Sequence, residues 1–265
     1  MQWHKLFAFC LMNKGGAIQG SAKSRDAAHF SSIITEGEYY EVKNFYTFEN
    51  RYINAVVGHE AVIDLKSDTK VTRLNSPPLS IPRYYFNFTD FAHILNKEKG
   101  SRLLTDALGR LKAIQPIEKI LVLGQTLEDK REFILENIRG DELRITLWGD
   151  IARSFDDASL AEQDSPLIVA FAGFRVSEFR GSANLIGTAA SVWYFNPDIP
   201  ELLAYKHYYA QMAVDLQQLP PSSGAVLSLQ TQMNENRRTI REILCMDPYE
   251  HKVFIMLFFK YYFLQ

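Results

Sequence analysis

Cysteine is scarce in this chain: Cys10 and Cys245 are the two present, far apart and without CxxC or any other paired spacing. That excludes a disulfide scaffold, gives no metal-ligating pattern and fits a reducing compartment. An excess of one charge is also missing, since 29 Lys and Arg stand against 31 Asp and Glu for a formal net charge of −2. A globally basic polyanion binder is thereby excluded, and any basic surface has to be local. Long hydrophobic runs are absent too. The apolar stretch VFIMLFFKYYFLQ at residues 253–265 covers 13 residues and is broken by Lys260, whereas a spanning helix requires roughly 20 apolar residues. No membrane association is expected from it; an orphan strand, a translated non-coding end or a tail anchor are the readings it leaves. Catalytic signatures are missing as well: there is no GxxxxGK, GxSxG, HExxH or EF-hand spacing. His59-Glu60 and Asp156-Asp157 are isolated pairs, read as surface polar residues, so no enzyme is expected.

What is present points to folded structure. Apolar residues make up 47% and aromatics 13% of 265 residues, enough for one or two domains with sizeable cores. Asn75-Ser76-Pro77-Pro78 is the clearest linker signal, because two prolines lock φ and remove donors. Gln217 to Gly224, with Pro-Pro-Ser-Ser-Gly, is a second. At the N-terminus, Leu6 to Met12 is too short for a signal peptide, and the following Asn13-Lys14-Gly15-Gly16 is turn chemistry between two strands. A short helix is expected over Ala27–Ile34 and a strand over Gly37–Phe48.

The chain is organised around residues 143–200. Leu143, Ile145 and Leu147 fall on one face of a strand and Arg144, Thr146 and Trp148 on the other, so Trp148 faces away from the core set. Gly149 and Asp150 break that strand, and Ile151, Ala152 and Phe155 suit a short helix packed under a sheet. An apolar run from Leu167 to Phe171 is expected to end at Gly173. A further strand, Arg175 to Phe179, then sets Arg175, Ser177 and Phe179 on one side and Val176 on the other. Trp193 and Tyr194 in the closing strand Ala189–Phe195 are read as structural, and a helix is expected over Glu201–Leu216.

The TLWG at Thr146–Gly149, the Phe155-Asp156 pair, the RVSEF at Arg175–Phe179 and the NPDIPE at Asn196–Glu201 give this stretch a family likeness. In order and spacing they resemble the second single-strand-binding OB domain of the replication protein A large subunit, above all its plant-type forms. The resemblance implies an all-β fold with short helices: tandem OB-fold barrels, each a five-stranded Greek key, with the first barrel incomplete. It divides the chain into a first OB domain at 1–74, a linker at 75–84, a second OB domain with a C-terminal helix at 85–216, a linker at 217–235 and a truncated third OB domain at 236–265. The family's third domain carries a zinc ribbon whose cysteines are not present here, so no zinc and no other cofactor is expected. Because the family's trimer contacts lie mainly in that domain, no stable heterotrimer is expected either.

Position by position, the resemblance implies that Trp148 and Phe179 stack bases while Arg175 and Ser177 touch the strand beside the second ring. The physics agrees, since an aromatic face accepts any base and stacking contributes about 1–3 kcal/mol per base. The bland reading makes both rings ordinary core aromatics. Lys130 and Arg131 are candidate phosphate contacts in a charged segment that Glu128, Asp129 and Glu132 also share; a surface charge cluster is the other reading. In the first barrel Lys23, Lys43 and Arg51 are candidates for phosphate or a solvated face, and Lys23 stands where animal relatives have a stacking ring. The implied function is binding of single-stranded DNA without strong sequence preference, in replication, repair, recombination or telomere maintenance in the nucleus. Other replication or repair proteins are further partners of such a chain. The alternative is an OB protein-interaction module, or a divergent paralogue fragment that has lost nucleic-acid affinity.

Overall fold

The computed structural model describes residues 7–12, 16–76, 81–94, 101–122, 126–163, 165–179, 181–210, 212 and 215–221. The third OB domain expected at 236–265, with its apolar tail at 253–265, lies outside the described residues, as do the prolines of the first linker signal.

In the N-terminal part, β1 (Phe7–Met12) and β2 (Gly16–Ala22) form an antiparallel pair, followed by α1 (Ser24–Ile33). Phe30 of α1, fully buried, packs with Ile18, Ala22, Ile63 and Leu65 to make the local core. The strand expected over Gly37–Phe48 is two strands instead, β3 (Tyr40–Lys43) and β4 (Tyr46–Glu49). Between them Asn44 takes φ 57°, a left-handed backbone that asparagine tolerates. The turn sends the two strands to different partners. β4 pairs with β5 (Ala61–Leu65), in a sheet ordered β1-β2-β5-β4, while β3 pairs with β6 (Lys70–Arg73) as a separate ribbon.

The C-terminal part begins with a short helix, α2 (Phe91–Ile94), which places Phe91 and Ile94 in the core. Next come β7 (Thr105–Ile114), β8 (Glu118–Val122), β9 (Thr126–Glu136) and β10 (Glu142–Trp148). Two short helices, α3 (Gly149–Ser154) and α4 (Asp157–Ala161), lead into β11 (Ile168–Phe179), β12 (Ser182–Ile186) and β13 (Val192–Phe195). Pairing runs β11-β12-β10-β9-β7, and β7 pairs back to β11, so these five strands close on themselves. Closure leaves this sheet's central strands without free edges. The architecture is tandem OB folds, all-β with short helices. Inside the closed barrel Phe133, Leu135, Leu143, Ile145, Leu147, Phe171 and Phe174 are fully buried, with Trp193 packed against them.

Two expected boundaries move. The apolar run does not end at Gly173 but continues as one strand through a bulge between Phe171 and Phe174. Gly173 makes that possible at φ +80°: its N–H donates to Asp106 Oδ1 at 2.9 Å, and a Cβ there would meet the Ala190 carbonyl oxygen at 2.6 Å. The helix expected over Glu201–Leu216 is α5 (Pro200–Tyr209). Its Tyr205 hydroxyl donates to the Leu108 carbonyl at 2.8 Å and burial pushes that phenol up to about 12. A two-residue strand, β14 (Gln217–Gln218), then joins the edge of β7.

Candidate nucleic-acid interface

The alternation in β10 sends Leu143, Ile145 and Leu147 into the barrel and leaves Arg144, Thr146 and Trp148 on the other face. Register then extends that second face sideways. On β9, Lys130 lies opposite Trp148 and Glu132 opposite Thr146. On β12, Asn184 lies beside Arg144 and Ile186 beside Thr146, while Ser177 and Arg175 of β11 stand opposite Asn184 and Ile186. Four residues named from sequence, Lys130, Trp148, Arg175 and Ser177, are thus brought to one outer face. Phe179, at the end of β11 opposite Ser182, holds the next alternate register position.

Trp148 is half-buried, where Gly149 at φ +57° turns the chain from β10 into α3. The Lys130 ammonium stands 5.7 Å from the Trp148 ring centroid, a cation–π distance. Lys130 also pairs with Glu132 at 2.6 Å, and Arg144 pairs with the same carboxylate. Thr146 Oγ1 donates to Asn184 Oδ1 at 3.1 Å, so the floor between the rings' strands is satisfied internally. Arg175 is exposed, and its Nη2 donates to Asn54 Oδ1 at 2.6 Å, from the first barrel.

Arg131, the other candidate in this segment, does not share the outer face with Lys130. Its strand parity is that of Phe133 and Leu135, so it points inward where Lys130 points outward, and it is 5% exposed. Its guanidinium lies 4.9 Å from the Phe155 ring centroid, donates to the Gln115 carbonyl at 3.1 Å and pairs with Asp157. The charged segment around it is the first half of β9.

The three basic candidates of the first barrel are exposed but not gathered. Lys23 follows β2 at the start of α1, Lys43 pairs with Glu41 at 2.8 Å on the separate ribbon, and Arg51 pairs with Glu49 at 2.6 Å. The β2 face that Lys23 continues carries Gln19 and Ser21, both buried beneath the loop at 50–58. There the Tyr52 hydroxyl donates to Ser21 Oγ at 3.0 Å and the Val56 N–H to Gln19 Oε1 at 3.4 Å. Sequence reading passed over Asn184 and the exposed rings Tyr46 and Phe48 of β4. The last two were detectable, because their period-2 alternation with Thr47 and Glu49 marks a strand face.

Among the described residues no group of three or more His, Cys, Asp or Glu is placed to hold a metal, and no helix is long and apolar enough to cross a membrane.

The replication protein A OB domain family model matches residues 91–196, the closed barrel with its flanking α2. Residues 91–196 are similar to replication protein A OB domains. The chain shares 25% identity over 214 residues with the replication protein A 70 kDa DNA-binding subunit of Danio rerio, covering 77% of this chain and 32% of that protein. A 70 kDa DNA-binding subunit of Oryza sativa subsp. japonica is 27% identical over 210 residues, covering 77% and 22% respectively. That of Mus musculus is 29% identical over 211 residues, covering 76% and 31%. The chain thus spans about a third or less of the length of these relatives. Among solved structures, a replication protein A heterotrimer bound to single-stranded DNA superposes with a TM-score of 0.57 at 19% identity, over 83% of this chain and 53% of that one. This likeness carries the fold of the OB domain and its partner.

Proposed function

We propose that the chain binds single-stranded DNA without strong sequence preference through the outer face of its replication protein A OB domain. The observation that carries this reading is the register that aligns Lys130, Trp148, Ser177 and Arg175 across adjacent strands, away from the core. Trp148 and Phe179 are its stacking residues, and Arg175 with Lys130 supplies positive charge at either side. Stacking is indifferent to base identity, which accounts for tolerance of sequence. The relatives carry the name DNA-binding subunit, and the solved heterotrimer is bound to single-stranded DNA, which supports the same direction. Replication, repair, recombination or telomere maintenance in the nucleus is the setting this reading implies. The domain limits at 1–74 and 85–216 belong to the same proposal.

One observation favours a second reading, an OB protein-interaction module without nucleic-acid affinity. Lys43, Arg51, Lys130 and Arg144 each meet a carboxylate, which leaves little unbalanced positive charge. Fluorescence anisotropy of a labelled oligothymidine of about 20 nucleotides, titrated with the chain at several salt concentrations, separates the two. DNA binding predicts salt-sensitive affinity that Trp148→Ala weakens by roughly 5- to 150-fold, the equivalent of about 1–3 kcal/mol of stacking. Absence of binding at low salt decides for the second, whereas binding that Trp148→Ala with Phe179→Ala leaves intact overturns the stacking platform.

A further inference from the structure

Most cations on the outer faces of the two barrels are tied to carboxylates, and Arg175 differs. Its partner is the side-chain oxygen of Asn54, a neutral acceptor, and among the described residues it forms no ion pair. A guanidinium with five N–H donors that gives one of them to an amide is oriented but not neutralised. The remaining donors and the full charge stay available.

Asn54 can hold that position because its loop is anchored on both sides. Toward the first barrel, Asn50 Nδ2 donates to the His59 carbonyl at 3.0 Å and the Tyr52 hydroxyl to Ser21 at 3.0 Å. Toward the second, the Ala55 N–H donates to the Arg102 carbonyl at 2.7 Å and the Leu104 N–H to the Ala55 carbonyl at 2.8 Å. Ala55 and Val57 are buried beside these bonds. Asn54 is therefore fixed by backbone pairing one residue away, not held by the arginine it contacts.

We propose that Asn54 is a positioning residue for strand binding: the first barrel supplies it across 121 positions of sequence to aim Arg175 of the second barrel at a backbone phosphate. This rests on the reading that the outer face binds single-stranded DNA. The two barrels thus build one phosphate contact jointly, although the first barrel's own candidates Lys23, Lys43 and Arg51 are scattered and the last two are paired with carboxylates. A carboxylate at position 54 would keep the geometry but cancel the charge, which separates aiming from mere packing.

The test uses the full chain, the same labelled oligothymidine and a salt series for wild type, Asn54→Ala, Asn54→Asp, Arg175→Ala, Asn54→Asp with Arg175→Ala, and Trp148→Ala. Asn54→Asp is expected to weaken binding about ten-fold at low salt and to flatten the log K against log salt slope by about 0.7, the share of one single-strand phosphate. Asn54→Ala should cost about two- to five-fold, and the Asn54→Asp effect should not add to that of Arg175→Ala. Should Trp148→Ala weaken binding while Asn54→Asp leaves affinity and slope unchanged, the positioning role is overturned and the function stands. An Asn54→Asp effect that persists undiminished in the Arg175→Ala background also overturns it, because the loop would then act by structure alone. If no variant, Trp148→Ala included, alters binding, the functional reading itself fails.

Discussion

Lys130 and Arg131 are neighbours with similar side chains and opposite fates. Lys130 stands over the Trp148 ring on the outer face, and Arg131 is enclosed between Phe155, Gln115 and Asp157. A strand rotates successive side chains to opposite sides, so one of two adjacent cations has to point inward. The inward one persists because its charge is paired and its donors are used; removing it strands the Gln115 carbonyl and opens the packing on Phe155. Arg131→Ala is accordingly expected to lower stability by about 1–3 kcal/mol, read as a drop in the urea midpoint, while leaving the salt slope of DNA binding unaltered. Lys130→Ala should do the reverse, with a small stability change and a shallower slope. Strand phase for this pair was legible from Phe133 and Leu135 downstream.

At the scale of elements, β11 shows where a local rule gives way. Glycine after an apolar run reads as a terminator, yet the hydrogen bonds of β11 continue past Gly173 because β7 and β12 pair on either side of the bulge. The carbonyl of Gly173 accepts from Thr188 Oγ1 at 2.9 Å and Ser191 Oγ at 2.8 Å, so the irregular backbone is fully engaged. Gly173→Ala would combine a left-handed φ with a Cβ pressed against the Ala190 carbonyl, and a loss of about 1–3 kcal/mol or more is expected in chemical denaturation. The bulge also sets the phase of everything after it. Arg175, Ser177 and Phe179 take their register from its position, and a change there should weaken DNA binding as well as stability. Asn44 plays the corresponding part in the first barrel, dividing one β-rich run between two sheets.

For the whole molecule, paired carboxylates link distant segments. Arg139, on the β9–β10 turn, reaches Asp90 before α2 at 2.5 Å and Asp141 at 3.1 Å. The Arg139 hydrogen bond holds Asp90 below the usual carboxylate range, and Asn137 with Arg139 does the same for Asp141. Burial alone would raise Glu136, but Lys112 and Arg110 together hold it down. A carboxyl whose folded value is depressed contributes stability that is present above its unfolded value and lost as pH falls through the folded one. Urea midpoints should therefore hold from neutral pH down to about 5 and fall steeply below about 4. Glu136→Gln should blunt that fall, because the buried site would no longer take up a proton.

The sequence by itself determined the phase of β10 and the ordered motifs of the second barrel, since alternation and spacing are local properties. Trp148 on the non-core side of β10 was legible for that reason. Closure of β7 onto β11, the choice of Phe155 and Asp157 as the partners of Arg131 and the meeting of Asn54 with Arg175 were decided only by the tertiary structure. Each joins residues far apart in the chain or depends on which strand lies alongside. Cross-strand register and chain reversal select those partners, and no spacing within a single segment encodes them.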